Sequence, residues 1–159
     1  MSLICGVDPG QTGAIALLNA DTKKIIEIVD MPVTTRLSGK GKEVNAYMLS
    51  NIFKNMNKYL LDIETIIIER VHAMKGQGTT SMFNFGRSLG VVEGIIAMTN
   101  TPTVWVTPQT WKKKFGLLKK EKDAARSLVI SMYPNQLDLF KRKKDIGRAD
   151  AVLIGLYKQ

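Results

Sequence analysis

The sequence predicts an α/β protein built on a mixed five-stranded sheet, with helices on both faces and strand 2 antiparallel. Three observations carry this. Two apolar runs, Leu3–Val7 and Ala14–Leu18, flank Asp8-Pro9-Gly10-Gln11-Thr12-Gly13, which reads as a strand, a glycine turn and a returning strand. Thr65-Ile66-Ile67-Ile68-Glu69 is a short β-branched run of the kind covered on both faces of a sheet. After residue 45, strand-like runs alternate with segments of helical period, the pattern of strand–helix units.

In the opening hairpin, Pro9 lacks the N–H that a central ladder needs, and Gly10 and Gly13 permit backbone closed to other residues. Asp8 therefore stands where the first strand ends. A carboxylate there, beside open backbone, suits a metal ion or a phosphate; an ordinary Asp-Pro-Gly turn is the competing reading. Ile25–Met31 reads as the third strand, ended by Pro32, and Val33–Glu43 as a mobile loop without period. From Asn45 to Leu60 the residues Leu49, Ile52, Phe53, Met56 and Leu60 recur at helical spacing, with Met48 and Met56 as fillers of the core or its edge.

Glu69 ends its strand as Asp8 ends the first. Two such carboxylates side by side would hold a proton between them unless a cation intervenes; pairing of Glu69 with a basic surface neighbour is the alternative. A loop, Arg70–Gly78, carries the single histidine, His72. Thr79, Thr80 or Ser81 can cap a helix running to about Met98, on which Gly86, Gly90 and Gly94 repeat every four residues. Such a stripe lets another backbone approach, whether the sheet's or a second subunit's. Thr103–Val106 is the fifth strand, and Thr107-Pro108 then supplies an N-cap with proline at the first helical position. Glu121–Met132 is helical, stopped at Tyr133-Pro134-Asn135. The final helix buries Ala149, Val152, Leu153 and Leu156 and carries Asp150 in its first turns.

The totals fit one domain over residues 1–159 with a sizeable core: 45% of residues are hydrophobic and 23% charged. No apolar run approaches the ~20 residues that span a bilayer, and neither a targeting segment nor a membrane partner is expected. The lone cysteine, Cys5, lies in an apolar strand and is expected to be buried in a reducing, cytoplasmic setting. Net charge is +9, and the stretch from Trp111 to Arg148 alone carries twelve Lys or Arg against four acids. That concentration points to a phosphate backbone as partner, with a merely solvated face as the alternative.

Taken in order, Gly6-Val7-Asp8-Pro9-Gly10-x-x-Gly13, the strand ending in Glu69, Phe85-Gly86-Arg87-x-x-Gly90, Thr107-Pro108-x-x-Trp111-Lys112, Glu121-Lys122 and Arg148-Ala149-Asp150-Ala151 run collinearly over nearly the whole chain. In this the chain resembles the RuvC-type Holliday junction resolvases of the ribonuclease H-like superfamily, and the short phage-type members more than the long bacterial ones. The resemblance implies an endonuclease that cuts four-way DNA junctions by paired nicks, as a homodimer, in a bacterial or phage-infected cell. It implies two Mg²⁺ ions per site, with Mn²⁺ able to substitute, hydrolysing the phosphodiester to 5′-phosphate and 3′-hydroxyl ends. The implied catalytic and metal-ligating set is Asp8, Glu69, Asp145 and Asp150. The implied DNA contacts are His72, Met74, Lys75 and Gln77 after the fourth strand, and Lys112, Lys114, Lys122 and Arg148 in the basic third.

Two positions depart from the family pattern. Gly147 stands where a second acid or a histidine usually precedes the final Asp by three residues, leaving Asp145 as the nearest candidate. His72 stands where bacterial members carry an aromatic residue. Other readings of the chain are a nuclease of flaps and forks without junction symmetry, or a DNA-binding module without catalysis. A nucleotide-binding protein of the actin or sugar-kinase type is set aside, because that architecture needs two such domains.

Overall fold

The computed structural model of the protein describes residues 2–56 and 63–159. Five strands form the main sheet: β1 (Leu3–Val7), β2 (Ala14–Asn19), β3 (Ile25–Asp30), β6 (Ile63–Glu69) and β7 (Thr103–Val106). Their order is β3-β2-β1-β6-β7. β2 is antiparallel to both β1 and β3, while β6 runs parallel to β1 and β7. The mixed five-stranded sheet is the one the sequence predicts. Because β1 and β6 are adjacent and parallel, Asp8 and Glu69 leave the sheet from the same edge.

Side chains alternate across this sheet. Leu3, Cys5, Val7, Ile15, Leu17, Ile66 and Ile68 pack on α1 (Ala46–Asn55) and α2 (Thr79–Ala97) through Leu49, Phe53, Val92 and Ile96. Ile4, Ala14, Ala16, Leu18 and Ile67 face the other layer, made of α3 (Pro108–Lys114), α4 (Ala124–Met132) and α5 (Ile146–Gly155). Cys5 is buried in the first of these layers, and burial pushes its thiol up to about 12. α5 lies so close to β1 that a Cβ on Gly6 would collide with the Ala151 carbonyl and the Gly155 backbone. That contact fixes α5 across the strand that ends in Asp8, and α5 is apolar almost all round, from Gly147 and Ala149 to Gly155.

Several elements depart from the sequence reading. Val33–Glu43 is no mobile loop. β4 (Val33–Thr35) and β5 (Lys42–Val44) pair antiparallel as a separate two-stranded ribbon, closed by a turn in which Gly39 and Gly41 take positive φ. Strands of three residues are too short to show an alternation. α1 is capped by the Asn45 side chain, which accepts from the Met48 amide; the remainder of the predicted segment toward Leu60 lies outside the described residues. Met56 is core, but Met48 is half exposed. Gly78, with no side-chain cap, precedes α2 instead of Thr79, Thr80 or Ser81. Thr107 caps α3 as expected, accepting from the Thr110 amide with Pro108 in the first turn. Among the described residues nothing lies within 4 Å of where Cβ atoms on Gly86, Gly90 and Gly94 would stand, so the sheet does not fill the α2 stripe. Among the described residues no helix is long and apolar enough to cross a membrane.

Candidate active site

Asp8 is held by the turn that follows it. Its amide donates to the Ala14 carbonyl at 3.0 Å, and its Oδ1 accepts from the Gly10 amide at 3.1 Å. Gly13 closes the turn onto the Gly10 carbonyl at 2.9 Å, so tightly that a Cβ there would collide with the Asp8 carbonyl. Asp150, in the second turn of α5, approaches from the opposite layer. The start of α5 rests on the same turn, since a Cβ on Gly147 would collide with the Thr12 carbonyl. Glu69 reaches the group from the end of β6. Its Oε2 accepts from Trp111 Nε1 at 2.6 Å, and Trp111, on α3, is wholly buried.

Burial raises all three carboxylates, and neighbouring acids add to the rise at Asp8 and Asp150. Burial pushes Asp8 up to about 7, reinforced by the Glu69 charge and opposed by the Gly10 amide and Lys112. Burial likewise pushes Asp150 up to about 7, reinforced by Asp8 and Glu69 and opposed by Lys112. Glu69 is raised by burial, against the Trp111 hydrogen bond and the Lys112 charge. Glu69 acts on both aspartates and Asp8 acts on Asp150, with Lys112 as the cation common to all three. Among the described residues no three His, Cys, Asp or Glu side chains are drawn tightly enough together to hold a metal ion as they stand. Asp8, Glu69 and Asp150 stand apart, and one oxygen of Glu69 is engaged by Trp111. Their donor chemistry nonetheless fits a hard divalent cation: carboxylate oxygens, partly desolvated, in mutual repulsion that a cation would relieve.

Asp8 and Asp150 open into a cleft of about 440 Å³ whose walls include Thr12, Lys112, Lys120, Glu121, Lys122, Lys143, Lys144 and Gly147. Of the sequence-predicted DNA contacts, Lys112 and Lys122 are therefore at the cleft. Lys120, Lys143 and Lys144 join them; the dense basic run in the sequence was the signal for these, without saying which members face the acids.

Other expected residues are elsewhere. Asp145 is buried, 2% exposed, and turned toward Arg142, which reaches its Oδ1 through Nη2 at 2.7 Å and its Oδ2 through the backbone amide at 2.9 Å. Burial alone would raise its pKa, but the hydrogen bonds and charge of Arg142, with Arg148, hold it below the usual range. It lines a second groove that shares only Thr12 and Lys144 with the cleft, and the structure does not bring it to Asp8, Glu69 and Asp150. Arg148 is not free for DNA: Nε and Nη2 bind Asp30 at 2.6 and 2.8 Å, and Nη1 donates to the Leu139 carbonyl at 3.2 Å. Lys114 points away from the cleft, its Nζ donating to the Tyr157 and Gln159 carbonyls at 2.6 Å each, past the end of α5. His72 lines a groove at the sheet edge with Arg70, Leu89, Glu93 and Trp105. Met74 and Lys75 are exposed nearby, and Gln77 bridges Met74 N and Ser81 Oγ; none of the four lines the cleft.

No protein-family model matches the chain. Over 80 residues, 49% of this chain, it is 35% identical to a chloroplastic Holliday junction resolvase of Chlamydomonas reinhardtii. The chain spans only 8% of the length of that relative. Among solved structures, Thermus thermophilus RuvC in complex with a Holliday junction substrate superposes with a TM-score of 0.61 at 17% identity, covering 99% of this chain and 92% of that one. A second Thermus thermophilus RuvC structure gives 0.62 at 16% identity, covering 98% and 92%. The yeast mitochondrial Holliday junction resolvase gives 0.55 at 17% identity, covering 98% of this chain and 77% of that one. The chain thus has the ribonuclease H-like fold of the RuvC-type structures.

Proposed function

We propose that this protein is a divalent-metal-dependent endonuclease that resolves four-way DNA junctions by paired nicks. The observation that carries the reading is the pair Asp8 and Asp150 in the wall of a lysine-rich cleft, with the Glu69 carboxylate close enough behind them to raise the pKa of both. The RuvC fold and the Holliday junction named for its structural neighbours and its curated relative supply the substrate class.

Asp8, Glu69 and Asp150 would hold two Mg²⁺ ions, or Mn²⁺ in their place, supplying charge neutralisation at the phosphate and activation of water for in-line displacement. The chain's own residues do the rest. The Gly10 amide donates to Asp8 Oδ1 and so orients the carboxylate in the cleft wall. Trp111 fixes one oxygen of Glu69. Lys112 lowers the pKa of all three acids, favouring the ionised set at neutral pH, and stands where a phosphate next to the acids would meet it. Lys120, Lys122, Lys143 and Lys144 line the approach of a DNA strand, giving affinity without base information.

Paired nicks need two sites facing one junction, hence a twofold dimer. The open glycine face of α2, flanked by Phe83 at 69% exposure and by Met82, supports that face as the contact. Sedimentation of wild type and Gly90→Leu tests it: a twofold species lost in the variant supports the assignment, and a dimer untouched by Gly90→Leu removes it.

The deciding experiment is cleavage of a fixed four-way junction in Mg²⁺ beside flap and fork controls, with both nicks mapped. Symmetric nicks on the junction, lost in Asp8→Asn and Glu69→Gln while binding persists, support the reading. Preference for flaps and forks would make it a general branched-DNA nuclease, and cleavage surviving both substitutions would remove the cluster from the chemistry.

A further inference from the structure

Beside the Asp8 turn stands an element that the cleft does not use. The β4–β5 ribbon is a built structure: Val33 pairs with Val44 and Thr35 with Lys42, and the turn is closed by Gly39 N to Arg36 O at 2.8 Å and Arg36 N to Gly41 O at 3.1 Å. Arg36 Nε also donates to the Lys42 carbonyl at 3.0 Å, laying the guanidinium across Gly41. Its root is fixed. Val44 is core, Glu43 pairs with Arg87 of α2 at 2.6 Å, and the Pro32 carbonyl accepts from Asn45 N. The Met31 amide donates to the Gly13 carbonyl, tying this root to the turn that holds Asp8.

The tip is the opposite of the root. Leu37 is 105% exposed, and Ser38, Gly39 and Lys40 are exposed beside it. With Glu43 neutralised by Arg87, the charge left on the ribbon is Arg36, Lys40 and Lys42, all positive. An apolar side chain held clear of the surface among cations matches a nucleic acid, which offers both a base face and phosphates. Phosphates answer the lysines, and a base step answers the leucine, as apolar wedges do in proteins that open or kink a duplex. Basic residues connect it to the active site. Lys143 and Lys144 line the cleft, Lys144 and Arg142 line the adjoining groove, and Val33, the first residue of β4, closes that groove.

We propose that the ribbon is a second DNA-binding element, in which Leu37 packs on the exposed base step at the branch point and Lys40 and Lys42 contact the flanking phosphates. This rests on the branched-DNA reading above and adds to it the part of the chain that would sense the branch. Strands of three residues project the tip by about 10 Å, enough to reach a base step while the strand to be cut lies along the cleft.

The test is binding of a fixed four-way junction, carrying 2-aminopurine at the branch, and of a linear duplex, by wild type, Leu37→Ala and Lys40→Ala/Lys42→Ala. All three side chains are exposed, so the fold is not at stake. Leu37→Ala is expected to lose roughly tenfold in junction affinity and most of the 2-aminopurine signal, with little change on the duplex. The double lysine variant is expected to flatten the log–log salt dependence on the junction by about two phosphates' worth, at ~0.9 each. Unchanged junction affinity and 2-aminopurine signal in Leu37→Ala overturn the proposal, as does a change in oligomeric state without one in DNA binding. Wild type that nicks junctions while all variants match it sinks the ribbon alone; wild type that neither prefers nor nicks junctions sinks the branched-DNA reading with it.

Discussion

Trp111 Nε1 donates to Glu69 Oε2 at 2.6 Å, across forty-two positions of sequence. The indole is wholly buried, so the bond is shielded from water and fixes one oxygen of an acid whose pKa it lowers against the pull of burial. Trp111→Phe removes the donor and leaves a half-buried carboxylate oxygen unpaired, at about 1–3 kcal/mol of stability. With the lowering contact gone, Glu69 holds its proton to higher pH. The acid limb of the cleavage pH profile should therefore move upward in Trp111→Phe, with more activity recovered at pH 8.5 than at pH 6.5. A profile that only scales down would leave Trp111 a packing residue.

Asp8 and Asp150 should make the protein treated with chelator less stable as pH rises. Each loses its proton near 3.8 in the unfolded chain but only near 7 in the fold. Between these values the folded state binds more protons, so stability falls with increasing pH and levels off above about 7. Thermal melts in chelator at pH 5.5 and 7.5 should differ by several degrees, with the lower pH the more stable. Asp150→Asn should narrow the gap. Mn²⁺ should raise the midpoint more at pH 7.5, where its ligands are already deprotonated. A midpoint that rises with pH in chelator would show that burial does not hold the two acids protonated in the fold.

Much of this site was legible because strand ends are legible. Asp8 and Glu69 each close an apolar run, and parallel β1 and β6 carry both to one edge; Asp150 stands in the first turns of an otherwise apolar helix. What escaped are relations that a linear pattern does not hold. Trp111 was visible in a motif, but its bond to Glu69 joins two side chains far apart in sequence. Residues two apart on a helix point about 200° from each other, so Lys112 and Lys114 could not both face the acids. Arg148 and Asp145 carried the expected chemistry, yet each found an opposite charge nearby, in Asp30 and Arg142. The ribbon escaped because its strands are shorter than any detectable alternation.

The two lysines of α3 separate cleanly by experiment. Lys112 lines the cleft, whereas Lys114 binds the Tyr157 and Gln159 carbonyls, a cation at the negative end of α5. Lys114→Ala should lower stability by about 1 kcal/mol and leave junction affinity and its salt dependence unchanged. Lys112→Ala should instead weaken binding and make the salt slope shallower by ~0.9. Equal losses of DNA affinity in both variants would show that Lys114 leaves the α5 carbonyls for phosphate.

Gly147 is the tightest constraint on the site. Any Cβ there meets the Thr12 carbonyl, in the turn that also holds Asp8, so α5 and that turn touch backbone to backbone. A ligand side chain at this position would have to push α5 away, and Asp150, three residues on, would move with it. Gly147→Ala should therefore cost about 1–3 kcal/mol through overpacking, and its effect should exceed that of Gly90→Ala, whose Cβ enters open space. Because the displacement separates Asp150 from Asp8, the part of the rise in Asp150's pKa that Asp8 supplies falls. The difference between melts at pH 5.5 and 7.5 in chelator should shrink in Gly147→Ala but not in Gly90→Ala, while Mn²⁺ affinity measured by calorimetry weakens in the former alone. Wild-type Mn²⁺ affinity in Gly147→Ala would mean that the turn, and not the helix, yields, and that Asp8 follows Asp150 as it moves.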